Sequence, residues 1–459
     1  MRIAPNDLVF VTPKAFQDIY APHHKNIETW VKTNFNDMGQ DLGGIIWEED
    51  PYRHREVAKK LSPALSSRNI RAMEPLINRY LDFFVSRMRE VGGGPEGIEL
   101  AQWTNWLAMD LAADMSWNER MGQMDRMRND ANLDVVLSFN SFVTAMHVFR
   151  RFGPLIRPFQ YFLAPFSKLL MFARLEATQR KELLKRIRLR GNTDHTDFFE
   201  YILPAEVPVP TAKKDLNHLS AVAIQMTFAE FGPMSDWFYS TLLFLLEEKE
   251  CHQILVHEIR AAFKTYDDIT PVTAGRLPYL HACLEESLRM FNSNSTGLPR
   301  LSPGAMVDGH FVPKGVPPPI PCILRLADSG ISRSLTFGTY QTHVQTSIFT
   351  LARSPRHFFN PHRYQPQRWL PSDHPLYDAA YANDDRKSFH PFSVGPRSCL
   401  GRELAWTQGN LFMAKVLWTF DVVKVSGQHV DLEESLKHFG FLVKPEVKVK
   451  FVPVERNEV

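Results

Sequence analysis

Cysteine is scarce in this chain. There are four in 459 residues, at Cys251, Cys283, Cys322 and Cys399, and no two form a CxxC. That scatter lacks the common zinc-site spacing and suits a reducing compartment better than a disulfide scaffold. Neither sign of charge is in excess: Lys+Arg 53 against Asp+Glu 51 leaves +2, so no basic field points to a nucleic-acid partner. A long apolar run is missing too. Met1-Arg2-Ile3-Ala4-Pro5 is neither a signal peptide nor the start of an apolar span. The Phe-, Leu- and Arg-rich stretch 142–172 is broken by Pro154, Pro158 and Pro165. Gly92-Gly93-Gly94-Pro95-Glu96-Gly97 formally fits GxGxxG, but the charged run Arg87 to Glu90 leads into it instead of a strand. It reads as a loop, not a nucleotide site.

What is present is a chain with 44% apolar residues, enough for a large core, and one conspicuous turn. Phe392-Ser393-Val394-Gly395-Pro396-Arg397-Ser398-Cys399-Leu400-Gly401 sets a cysteine in a Gly/Pro-rich loop. Behind it, Arg402 to Phe420 carries Leu404, Leu411, Phe412 and Trp418 on one helical face. Backbone N–H groups and the positive helix end stabilise a thiolate at such a place. A lone cysteine there also reads as a buried structural residue beside a turn. Further signals lie upstream. Ala221 to Leu246 is apolar nearly all round, as a buried central helix is, with Pro233 in its middle to remove the bond to the Ala229 carbonyl. Glu286 and Arg289 stand three apart on one helix face. Tyr364-Gln365-Pro366-Gln367-Arg368-Trp369 follows.

Phe392, Gly395, Arg397, Cys399 and Gly401 together resemble the haem-ligand loop of the cytochrome P450 family. Glu286, Arg289 and Arg368 resemble that family's ExxR and Arg motifs, and the likeness runs from Arg2 to the end. It implies one mostly α-helical domain, 1–459, with small β-sheets and a long central helix over the haem. The cofactor would be haem b, iron protoporphyrin IX, held by Cys399 as metal ligand rather than by covalent attachment. Phe392 would pack beside the thiolate, and the backbone around Gly401 would donate to its sulfur. Arg300, Arg397 and His54 would meet the haem propionates. Ala58 replaces the Arg expected after His54, with Lys59 as its stand-in. Glu286, Arg289 and Arg368 would form a buried structural charge network, with Gln367 in place of the usual Glu.

The resemblance further implies monooxygenation. A small hydrophobic organic substrate is hydroxylated or epoxidised with O2 and electrons from an NADPH-cytochrome P450 reductase, in fungal secondary metabolism or detoxification. The reductase would dock near Arg386, Lys387, Arg397 and Arg402. The central helix departs from the family pattern: Gly232 and Pro233 occupy the places of the acid and alcohol that relay protons. Glu230, Ser235 and Asp236 are the replacement candidates for a catalytic proton relay. The alternatives are a haem-thiolate isomerase or dehydratase that consumes no O2, which Phe231-Gly232-Pro233 resembles, and a truncated haem-binding product.

Family members of eukaryotic type sit on the endoplasmic reticulum membrane by an N-terminal anchor. This chain lacks that segment, which leaves a cytoplasmic location or a mis-assigned start as readings. Stretch 142–172 would cover the substrate channel and make peripheral membrane contact. Around Asp308-Gly309 the chain reads as a tight hairpin. Residues 316–341 then intervene before a strand, with Pro317, Pro318, Pro319 and Pro321 and little periodicity. They read as an insertion, either a genuine surface loop or a retained intron. Every Val codon opens with GT, and one Gln codon closes with AG.

Overall fold

A computed structural model gives the architecture. It describes residues 1–4, 6–33, 43–131, 133–137, 178, 180–293, 297–316, 340–431, 435, 437–439 and 441–456. The stretch 142–172, expected to cover the substrate channel, and most of 316–341 lie outside the described residues.

The fold is mostly helical with small sheets. The central helix runs Lys213–Glu247 without interruption at Pro233, so it begins eight residues before the start expected from its apolar pattern. Its first turn, Lys213 to Asp215, is polar and exposed, which is why hydrophobic patterning missed it. Beyond Leu219 it is buried on most sides, as its apolar perimeter requires. It packs along the helix Leu100–Trp117, whose side chains are nearly all buried, and against the helices Pro278–Met290 and Arg402–Thr419. Phe238 stacks on Phe412 at 4.2 Å between ring centroids, and Trp237 donates Nε1–H to the Leu284 carbonyl at 3.0 Å. These contacts fix the central helix against both the helix that follows the cysteine loop and the helix that carries Glu286.

A five-stranded sheet lies at the other end of the chain's logic. Its order is Arg2–Ala4, Asp7–Phe10, His343–Thr346, Arg300–Leu301, Val31–Lys32. His343–Thr346 runs parallel to Asp7–Phe10 and antiparallel to Arg300–Leu301. The helix Pro13–Tyr20 covers it, started by Thr12, whose Oγ accepts from Ala15 N–H. Phe16, Ile19, Trp30 and Val344 make a second, smaller core there.

Several expectations hold. Strands Ala305–Val307 and His310–Val312 form the hairpin, turned by Asp308 and Gly309, both at positive φ, as a type I′ turn requires. Residues 92–97 form a turn between the helix Glu74–Val91 and the strand Ile98–Glu99. No helix among the described residues is long and apolar enough to cross a membrane.

Candidate functional site

The cysteine loop is shaped by backbone demands that only certain residues meet. Cys399 N–H donates to the Phe392 carbonyl at 2.8 Å, which closes the loop. Gly395 has φ +73°, and a Cβ there would lie 2.2 Å from the Tyr20 carbonyl oxygen. Glycine is therefore obligatory where the loop crosses the end of the first helix. Phe392 sits edge-on to Trp237 of the central helix at 6.4 Å and lies under the Arg402 guanidinium at 5.8 Å. The loop is thus clasped between the N-terminal sheet and the central helix.

Cys399 is a free, accessible thiol. The protein mass around it pushes its pKa up, while the Gly401 N–H and the Arg402 charge pull the other way. Without a cation on the sulfur the surroundings favour the neutral thiol; a bound metal reverses that preference.

Behind the loop, Glu286 is fully buried and saturated with donors. Arg289 donates Nε–H and Nη2–H at 2.8 and 2.7 Å, Arg368 Nε–H at 3.0 Å, Gln365 N–H at 2.9 Å and Trp369 Nε1–H at 2.8 Å. Burial works to raise the Glu286 pKa, but Arg289 and Arg368 hold it below the ordinary value. Arg289 also ties the Ala352 and Pro361 carbonyls, each at 2.7 Å, and Arg368 pairs with Asp384. From Trp369 the contact passes to Phe389 at 5.9 Å, three residues before the cysteine loop begins. The three residues expected to form a network do come together.

A second charge cluster gathers around the N-terminal sheet. Arg397 donates Nε–H to Glu28 Oε1 and Nη1–H to the Glu48 carbonyl, both at 2.8 Å. Arg300 is buried over the Tyr20 ring at 5.0 Å, and burial pushes its pKa down to about 10. Directly opposite Arg300 on the neighbouring strand is Lys32, 4% exposed, with Nζ on the Ile46 carbonyl. Burial, then the charges of Arg300 and Arg397, drive the Lys32 pKa well down. The same cations act on buried His54, where burial first and their charges second lower the pKa to about 3. Like charges directly opposite on paired strands repel. Lys32, Arg300 and Arg397 are three buried cations, and Glu28 is the one carboxylate whose charge acts on all three. Glu48 pairs with Arg53 at 3.2 Å. Among the described residues the cluster therefore carries more positive than negative charge, with Glu48 and Asp50 also acting on Arg397, and the two carboxylates of a haem would suit it. An accessible thiol, together with this cationic set, fits that group.

Lys32 was not legible in the sequence. It is one lysine in an unremarkable strand, and the only signal was its inward position next to buried Trp30. The stand-in expected for the missing Arg, Lys59, is exposed instead. A corresponding correction concerns docking: Arg386, Lys387 and Arg402 are exposed, but the Arg397 side chain is 4% exposed and paired to Glu28, so it offers nothing to a partner.

The three relay candidates go three ways. Ser235 donates to Asn105 Oδ1 at 2.5 Å. Asp236 accepts from Ser293 at 2.6 Å and pairs with Lys444 at 3.1 Å. Both are locked in a closed polar set between the central helix and residues near the C-terminus. Glu230 instead faces the helix after the cysteine loop and accepts from Gln408 Nε2–H at 2.7 Å.

Comparison with known proteins agrees with this geometry. The family model described as Cytochrome P450 matches residues 2–317 and 340–451. Cytochrome P450 monooxygenase TwmD from Talaromyces wortmannii is 43% identical over 99% of this chain and 83% of its own length. Cytochrome P450 monooxygenase BOA3 from Botryotinia fuckeliana is 30% identical over 98% and 83%. Among solved structures, the cytochrome P450DA heme domain superposes with a TM-score of 0.70 at 16% identity, covering 97% of this chain and 88% of that one, a likeness of fold.

Proposed function

The chain belongs to the cytochrome P450 family and is an oxidoreductase of the monooxygenase type, and on that premise we propose that it hydroxylates or epoxidises a small hydrophobic organic molecule in fungal secondary metabolism. The single observation that carries the reading is the accessible Cys399 thiol in a loop closed by its own N–H on the Phe392 carbonyl. Haem b, when bound, supplies the O2 activation and electron transfer.

The chain's own residues do the rest. Cys399 is the metal ligand, and the Gly401 N–H tempers the electron donation of its sulfur. Phe392 would pack beside the thiolate, braced from behind by Trp237. Lys32, Arg300 and Arg397 bind the propionates with charge-assisted hydrogen bonds, and neutral His54 adds one more. Glu286, Arg289 and Arg368 hold the segment that leads into the loop. Arg386, Lys387 and Arg402 present positive charge to an NADPH-cytochrome P450 reductase at the endoplasmic reticulum surface. An O2-independent isomerase is the rival that the missing acid and alcohol suggest, and the monooxygenase names of the relatives weigh against it.

The test incubates the purified holoprotein with the reductase and organic extracts, measuring NADPH and O2 uptake beside product formation. Product with matched uptake of both supports monooxygenation; product with neither cofactor consumed overturns it.

We propose further that 316–341 is a removable insertion within a single domain. The family match stops at 317 and resumes at 340. Gly315 and Gln341 are already cross-strand partners, and Thr342 N–H donates to the Lys314 carbonyl at 3.2 Å, so joining Gly315 to Thr342 needs little movement. Transcripts reading through Ser329 after splicing would rule out a retained intron.

A further inference from the structure

Gln225 lies on the central helix, fully buried, and its amide is filled from one short turn. Its Oε1 accepts three consecutive backbone N–H groups, from Ile45 at 2.8 Å, Ile46 at 2.6 Å and Trp47 at 3.4 Å. Its Nε2–H donates to the Gly43 carbonyl at 3.0 Å. Successive N–H groups aimed at one point make a concavity that commonly holds an anion; here a neutral amide oxygen occupies it. Two helical turns earlier, His218 Nδ1 accepts the Gly44 N–H at 3.4 Å. The turn is cut to this fit. Gly44 has φ +88°, and a Cβ there would lie 2.2 Å from Gln225 Nε2, so only glycine follows this path.

We propose that Gln225 is a positioning residue for the haem-carboxylate site: by holding the 43–47 turn it aims the Ile46 carbonyl at Lys32 and so orients the Lys32 amine for a propionate. The inference rests on the reading of Lys32, Arg300 and Arg397 as the propionate-binding set. The link is one peptide plane. The Ile46 carbonyl and the Trp47 N–H belong to the same trans peptide, so they point in opposite directions. With that N–H on Gln225, the carbonyl faces away from the central helix, and Lys32 Nζ donates to it. An ammonium carries three N–H groups on a flexible stem. Holding one of them on Ile46 sets the direction of the other two.

The same segment continues into the cationic cluster. The Glu48 carbonyl accepts from Arg397 Nη1–H at 2.8 Å, and the Glu48 carboxylate pairs with Arg53 at 3.2 Å. Asp50 then caps the helix Pro51–Leu61, which carries buried His54. Residues 43–50 thus join the central helix to Lys32, Arg397 and His54, and Gln225 is where they are fastened to that helix. With the turn released, the Ile46–Trp47 plane is free to rotate, and a reversed plane presents an N–H to the Lys32 amine in place of an acceptor. Methionine at 225 keeps the volume and removes all four bonds at once. Glutamate, kept protonated by burial, reproduces them: its carbonyl oxygen accepts, and its O–H donates to Gly43.

The test compares the wild type with Lys32→Met, Gln225→Met, Gln225→Glu, Gly44→Ala and the double variant Lys32→Met/Gln225→Met. Gly44→Ala disturbs the same contact from the turn side and serves where Gln225→Met does not fold. Haem transfer from the holoprotein to an acceptor globin should quicken about fivefold to tenfold in Gln225→Met and Gly44→Ala, the worth of roughly one hydrogen bond, and return towards the wild-type rate in Gln225→Glu. On the Lys32→Met background, Gln225→Met should add almost nothing, because the residue it acts through is gone. In the apoprotein, amide hydrogen exchange at 45–47 should quicken in Gln225→Met and stay slow in Gln225→Glu. Haem loss that is unchanged in Gln225→Met and Gly44→Ala while Lys32→Met quickens it overturns the positioning role alone. So does an equal factor for Gln225→Met with and without Lys32, or unchanged exchange at 45–47. Haem loss unchanged in Lys32→Met overturns the propionate reading and the positioning role with it.

Discussion

The molecule buries two clusters of charge, and they are built differently. Around Glu286 the charges balance within the chain: Arg289 and Arg368 face Glu286 and Asp384, and Glu286 takes five hydrogen bonds. Around Arg300 they do not, among the described residues. Lys32, Arg300 and Arg397 share Glu28, two of the cations sit directly opposite each other on paired strands, and His54 is held neutral. The difference separates a structural device from a binding one. A balanced buried network stabilises without help, provided every partner is present. An unbalanced one carries a repulsion that loss of the Lys32 proton or an added anion relieves, and on the proposed reading it couples the N-terminal sheet to the cofactor.

Breaking each cluster should therefore give opposite signs in the cofactor-free protein. Glu286→Ala leaves two arginines buried without a counter-charge and should cost about 3–5 kcal/mol, read by urea denaturation of apoprotein and holoprotein alike. Lys32→Met should do the reverse in the apoprotein, raising its stability by roughly 1 kcal/mol or more because a buried like-charge contact is removed. In the same variant haem should dissociate about tenfold to a hundredfold faster, the worth of one charge-assisted hydrogen bond, measured by transfer to an acceptor globin. If Lys32→Met destabilised the apoprotein as Glu286→Ala does, the two clusters would not differ in kind.

The last effect concerns pH and grows with acidification. In the protein alone the His54 pKa lies at about 3 against an ordinary 6.5. Between those values the unfolded chain binds the extra proton, so stability falls as pH drops through that window. The apoprotein should lose stability over that range, and His54→Phe should flatten the loss. With propionates beside it the imidazolium is less disfavoured, so the holoprotein should show a shallower fall. Equal slopes with and without haem would place His54 outside the binding cluster.

Much of this was legible in the sequence because its signals are local. The Asp308-Gly309 turn depends only on its own two residues, and it sits where expected. The cysteine loop was legible for the same reason, although the cause at Gly395 was not: its constraint is the Tyr20 carbonyl, hundreds of residues away in sequence. Long-range electrostatics stayed hidden. Nothing in Trp30-Val31-Lys32 tells that its lysine will face Arg300, and nothing in Arg397 tells that it will be shielded by Glu28. The relay candidates were indistinguishable in sequence, since their difference lies in Asn105, Ser293, Gln408 and Lys444, which no spacing rule connects.

The central claim is sulfur ligation of haem iron by Cys399. The direct measurement is the reduced carbon monoxide difference spectrum of the haem-loaded wild type and of Cys399→Ser, with haem content determined in parallel. The account predicts the strongly red-shifted Soret band in the wild type and its loss in Cys399→Ser. A red-shifted band that persists in Cys399→Ser, or a wild type whose spectrum reports nitrogen ligation, would contradict it.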